Sequence, residues 1–185
     1  MTPHAGRASR TRQLVAAALV TSVMVVTGWV SIPFGPVPVT LQVFGVVLAA
    51  LLLTPGWAAA SLGVYLLLGA VGIPVFAGGH AGLGVVLGPT GGYLTGFVAG
   101  AYLGSLVRTL LDRRGNPALV ADIAGALVVV AAIYAVGWAQ LALVLHLSVL
   151  GSLAVGVAPF LVPDLIKAAV AIVIAAAVRR AIEPA

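Results

Sequence analysis

Apolar residues along this chain come in long unbroken blocks, without the strict alternation of a half-buried strand or the one-sided period of a soluble helix. Blocks bounded by Pro, Gly and charge fall at about 13–30, 40–54, 57–74, 91–111, 119–146 and 159–178. Most approach the roughly 20 residues a helix needs to cross the hydrocarbon core of a bilayer. The second block is short and ends at Pro55-Gly56, a pair that turns the chain tightly into the third. The fifth is long enough to tilt. The pattern predicts an all-α integral membrane protein, six transmembrane helices in a single membrane domain over residues 1–185. Composition agrees: 62% of residues are hydrophobic and 7% charged, where soluble domains run near a quarter charged. The first block runs into Ser-Ile-Pro-Phe-Gly-Pro rather than a small-residue cleavage site, so it is expected to be a retained span.

Charge fixes the expected orientation. Arg7, Arg10 and Arg12 precede the first span; Arg108, Arg113 and Arg114 surround the turn between the fourth and fifth; Arg179 and Arg180 follow the sixth. With six spans all three clusters fall on one side, and the positive-inside rule makes that side cytoplasmic, with both termini inside. The opposite connections, about 31–39, 75–90 and 147–158, contain no Lys or Arg. The net charge of +5 therefore reflects membrane topology and gives no reason to expect nucleic acid.

Two ionisable residues break the sixth block. Asp164 and Lys167 stand three apart in Ala-Pro-Phe-Leu-Val-Pro-Asp-Leu-Ile-Lys, so on a helix they leave from one face. Ionised groups inside a span cost a few kcal/mol each on insertion scales and mark functional sites by default. A carboxylate beside an ammonium makes an acceptor–donor clamp for a small ligand, or else a neutralised pair holding two helices together. The predicted topology puts the pair in the outer leaflet, open to the uncharged outer loops.

Those loops carry further candidates. Residues 75–90 are long, Gly-rich and apolar, as lids and binding loops often are. They end in Gly-Pro-Thr-Gly-Gly (88–92), which lacks the Gly-Lys-Ser/Thr ending of a phosphate loop and follows no strand. Its better reading is a helix start near Thr90 whose free N–H groups can meet a ligand's acceptors. Three prolines stiffen the loop before Thr40 and Gln42, whose polar groups need partners, either ligand or neighbouring backbone.

Small residues form two stripes. Gly92, Gly96, Gly100 and Gly104 repeat every four residues and allow close approach of a neighbouring helix. On the first span Ala17, Ala18, Thr21 and Ser22 form a second small face at the cytoplasmic end, for internal packing or for docking another membrane subunit. Asp122 reads as a charge at a helix terminus. Cysteine is absent, and His4, His80 and His146 lack the spacing of a metal site. No nucleophile–base set, paired carboxylates or HExxH motif is present, and no cofactor is expected. A channel is disfavoured because the inner halves of the spans have almost no ionisable groups.

Four stretches together resemble one family. They are Ile-Pro-Phe-Gly-Pro-Val-Pro-Val-Thr-Leu-Gln-Val-Phe (32–44), Gly-Val-Tyr-Leu-Leu-Leu-Gly-Ala-Val-Gly-Ile-Pro-Val-Phe-Ala-Gly (63–78), Leu-Gly-Pro-Thr-Gly-Gly-Tyr-Leu-Thr-Gly-Phe (87–97) and Pro-Phe-Leu-Val-Pro-Asp-Leu-Ile-Lys (159–167). The chain resembles the biotin-specific S-components of energy-coupling-factor (ECF) transporters, the BioY family. One departure is Val162-Pro163 where the family has Pro-Gly, which leaves the Asp-x-x-Lys spacing intact. The resemblance implies a six-helix subunit that binds biotin in an occluded extracytoplasmic site and partners a transmembrane coupling subunit and two ATPases, docking partly through small residues of the first helix. It further implies that Asp164 accepts from the ureido N–H groups and that Lys167 donates to the ureido carbonyl or the valerate carboxylate. The glycine loop and Tyr93 would wall the thioether ring and aliphatic chain.

Overall fold

The computed structural model describes residues 3–182; the side chains of residues 3–9, His4 and Arg7 among them, lie outside the described residues. Eight α-helices follow in order: α1 (Pro3–Trp29), α2 (Gln42–Leu52), α3 (Pro55–Ala70), α4 (Leu83–Leu87), α5 (Gly91–Arg113), α6 (Ala118–Val144), α7 (Val149–Gly156) and α8 (Ala158–Ile182). A two-stranded antiparallel hairpin, β1 (Ser31–Ile32) and β2 (Val39–Thr40), joins α1 to α2, pairing Ser31 with Thr40. One 3₁₀ turn (Ala77–Gly79) precedes α4.

Among the described residues, four helices are long and apolar enough to cross a membrane: Arg10–Trp29, α5, α6 and α8. Helix α3 is shorter, and α2, at 11 residues, is only about 16 Å long at 1.5 Å per residue. Helix α2 is instead the centre of the bundle. It packs against α1, α5, α6 and α8, and Val46, Val47, Ala49 and Ala50 are wholly buried. A helix apolar on every face belongs in such a position.

The glycine stripe of α5 meets α6. A Cβ on Gly96 would stand 3.0 Å from Ile133 Cα, and one on Gly100 3.0 Å from the Val129 carbonyl oxygen. Gly104 and Gly125 face each other so closely that a Cβ on either would strike the other's carbonyl, at 2.7 and 2.9 Å. Without these glycines the two backbones could not touch, and in lipid such packing is a main source of helix association.

Side-chain contacts fix which ends lie together. Gln13 Oε1 accepts from Thr54 N at 3.2 Å, placing the start of α1 beside the α2–α3 turn. Arg179 donates to the Leu51 carbonyl at 3.2 Å, bringing the end of α8 to the same place. The α5–α6 turn joins them there through Asp122. At the opposite end lie the hairpin, residues 71–90 and α7.

Asp122 corrects an expectation. It is 1% exposed and lies beyond the first turn of α6, so it is not a helix-terminus charge. Arg108 Nε donates to its Oδ1 at 2.9 Å, and Arg179 pairs with its Oδ2. A buried carboxylate needs such partners, and these two bind α5, α6 and α8 together.

Candidate binding site

A cavity of ≈ 270 Å³ lies at the end away from the arginines, lined by α2, α5, α6, the head of α8 and the connections between helices. Its size is close to the lower end of small-molecule pockets, about 300 Å³. Apolar side chains supply most of the wall, among them Val43, Phe76, Leu94, Phe97, Ile133 and Phe160. A few polar groups break that surface.

The most concentrated polarity is at Asp164, about two turns into α8 and 5% exposed. The helix continues through Pro163, so Lys167 lies on the same face as the carboxylate. Lys167 Nζ donates to Asp164 Oδ1 at 2.7 Å. From α6, the Tyr134 hydroxyl donates to Oδ2 at 2.7 Å. Each carboxylate oxygen thus holds one hydrogen bond and keeps further acceptor capacity. Among the described residues Lys167 has one partner for its three N–H donors. All three side chains line the cavity, so the cluster offers acceptor and donor side by side in an apolar setting.

A second polar chain runs along another wall. The Thr40 hydroxyl donates to Gln42 Oε1 at 3.0 Å, the Gln42 amide donates to the Tyr65 oxygen at 2.5 Å, and the Tyr65 hydroxyl donates to the Val75 carbonyl at 2.8 Å. Gln42 is therefore held largely by the protein, and Thr40 keeps acceptor capacity beside the cavity. Thr90 precedes α5 without a side-chain cap bond and lines the cavity with Gly88 and Pro89. The Tyr93 ring faces the cavity and lies against Gly137, while its hydroxyl donates to the Gly156 carbonyl at 2.7 Å. His80 also lines the cavity, its Nδ1 2.7 Å from the Ala77 carbonyl.

Outer connections close over this space. Phe34 at the hairpin tip meets Phe160 edge-on, centroids 6.1 Å apart at 87°, and Val37 and Pro38 behind it reach the cavity. The glycine-rich segment is latched by Gln140 on α6, whose amide nitrogen donates to the Val86 carbonyl at 2.9 Å and the Gly88 carbonyl at 2.8 Å. A side chain at Gly91 would collide with that latch and with the Val86 carbonyl.

Sequence reasoning missed Tyr134 and Gln140. Both are hydrogen-bonding residues within the apolar α6 block, and a polar group in such a block is the available signal.

The four small residues of α1 divide between two faces. Ala17 is 6% exposed, and Thr21 shares a 2.9 Å hydrogen bond with the Ser61 hydroxyl of α3, while Ser61 donates to the Ala17 carbonyl at 3.0 Å. That half packs inside. Ala18 and Ser22 are exposed, with the Ser22 hydroxyl turned back on the Ala18 carbonyl at 3.0 Å.

The BioY family profile matches residues 2–184. The chain belongs to the BioY family. Among BioY relatives, the biotin transporter BioY of Thermotoga maritima is 42% identical over 166 residues, spanning 89% of this chain and 94% of that protein. The probable biotin transporter BioY of Pyrococcus horikoshii is 39% identical over 166 residues, spanning 90% and 95%. In three dimensions the chain is similar to the S-component for biotin from an ECF-type ABC transporter. The TM-score is 0.87 at 29% identity, over 97% of this chain and 95% of that one.

Proposed function

We propose that this BioY member is the biotin-binding membrane subunit of an ECF-type vitamin uptake transporter. The observation that carries the reading is the Asp164–Lys167–Tyr134 cluster on the wall of an otherwise apolar cavity, in a chain whose full-length relatives are biotin transporters.

Biotin's chemistry fits that wall. Its fused ureido ring carries two N–H donors and a strongly polarised carbonyl. An Asp164 oxygen accepts from a ureido N–H, and Lys167 donates to the carbonyl or to the valerate carboxylate. Thr40, Gln42 and Thr90 form the polar rim, and Tyr93 with the glycine segment covers the thioether ring and chain. Charge-assisted hydrogen bonds in a largely apolar cavity are the stronger kind.

Six crossings, α1, α2, α3, α5, α6 and α8, would place both termini in the cytoplasm, since the described arginines gather at one end of the bundle. The cavity then opens outside the cell. Helix α2 would cover only part of the bilayer, with the hairpin completing the path. The sequence carries no Walker motif, so uphill uptake would draw on a transmembrane coupling subunit and two ATPases. Ala18 and Ser22 present the exposed small face for docking them.

The test is calorimetric titration of the purified chain with biotin, then with thiamine, riboflavin and folate. One-to-one binding of biotin, undisturbed by the other vitamins, is expected. Preference for another vitamin, or no biotin binding by folded protein, overturns the reading.

A further inference from the structure

A second cleft, of ≈ 600 Å³, lies at the arginine end of the bundle, between α8 and the α5–α6 turn. Much of its lining is apolar, with Leu119, Ile172, Val173, Ala176 and Ala177 among it. Leu119 is 61% and Val173 69% exposed, so the cleft opens sideways to the surroundings of the bundle. For a membrane protein those surroundings are lipid. The charged part of the lining is Arg108, Arg179 and Arg180, with Asp112 and Asp122. Three guanidinium groups against two carboxylates leave a net charge of +1.

The hydrogen bonds show which donors are free. Both oxygens of Asp122 are committed, to Arg108 Nε and to Arg179. Arg179 also donates to the Leu51 carbonyl. The two terminal nitrogens of Arg108 and the whole guanidinium of Arg180 have no protein partner among the described residues. An arginine fork matches phosphate oxygens in geometry as well as charge. Uncommitted guanidinium donors in the same cleft as exposed apolar side chains are complementary to a phosphodiester with acyl chains attached.

We propose that this cleft is a binding site for a phospholipid of net negative charge. Arg180 and the terminal nitrogens of Arg108 hold the phosphate, and an acyl chain runs along Leu119 and Val173. Free phosphate shares the headgroup chemistry but makes no use of the apolar wall. A lipid there touches α5, α6 and α8 together, so it stabilises the folded bundle.

The test uses the full chain in a non-ionic detergent. Thermal unfolding is titrated with dioleoylphosphatidylglycerol, dioleoylphosphatidylcholine or inorganic phosphate, and native mass spectrometry counts retained lipid. Phosphatidylglycerol should raise the midpoint saturably and stay bound as a single molecule, with little effect from the other two. Arg180→Gln leaves the Asp122 pairs intact and should weaken that response about tenfold or more, the scale of a lost charge-assisted contact. Val173→Trp fills the wall without changing charge and should weaken it as well. Arg114→Gln removes the same charge at an exposed position outside the cleft and should leave it unchanged. Equal losses in the two arginine variants would mean diffuse attraction and overturn the site. So would an equal response to phosphatidylcholine or phosphate, or no effect of Val173→Trp.

Discussion

Gly96→Ala and Gly63→Ala are the same chemical change in two helices, and the structure predicts opposite outcomes. At Gly63, in α3, an added Cβ meets nothing within 4 Å. Alanine there recovers about 0.5–1 kcal/mol of the helix cost of glycine. At Gly96 the added Cβ stands 3.0 Å from Ile133 Cα and 3.2 Å from the Ile133 carbonyl oxygen. Both are backbone atoms, so no side chain can swing aside, and α5 and α6 must separate by a few tenths of an ångström. Overpacking of this kind costs about 1–3 kcal/mol, which outweighs the same helix gain. The two variants should therefore differ by about 1–3 kcal/mol, with Gly63→Ala at or above wild type and Gly96→Ala below it. Gly96→Leu should prevent a stable bundle altogether. Thermal unfolding of the purified proteins in one detergent reads the difference. Equal shifts of the same sign in both alanine variants would refute close α5–α6 packing as a source of stability.

Tyr134→Phe removes the hydroxyl that holds Asp164 Oδ2 and should lower biotin affinity several-fold while the protein stays folded. In an Asp164→Asn background the same change should cost little more, and additive losses in this double-mutant cycle would show that Tyr134 acts elsewhere. Ala17→Trp should disrupt the α1–α3 contact and reduce folded yield, whereas Ala18→Trp should fold and bind biotin but lose co-purification with the coupling subunit and ATP-dependent uptake. Normal assembly and uptake by Ala18→Trp would exclude that face from docking.

The long helices were legible because composition and length suffice to mark them. The blocks at 91–111, 119–146 and 159–178 start within one residue of α5, α6 and α8 and end within four. Short elements were not legible. Helix α4 has 5 residues and α7 has 8, too few to show a period, and the hairpin has two residues per strand. The Asp164–Lys167 pair was readable because helix geometry alone puts i and i+3 on one face. Tyr134 lies 30 residues away from Asp164 in sequence, and only the crossing of α6 with α8 unites them. The same limit explains Asp122: its nearest arginines in sequence were visible, but its burial depends on Arg179 returning from the end of α8.

Equilibrium binding of biotin to Asp164→Asn and Lys167→Ala, beside wild type, decides whether this pair holds the ligand. A buried charge-assisted hydrogen bond contributes about 1.5–3 kcal/mol, so each variant should lose about ten- to a hundredfold in affinity. A lone buried charge can also destabilise the protein, so the double variant Asp164→Asn/Lys167→Met, which removes both charges, is measured alongside with monodispersity monitored. The double variant should remain monodisperse, and biotin binding should be strongly weakened in every variant that does. Near-native affinity in a monodisperse double variant would contradict the account.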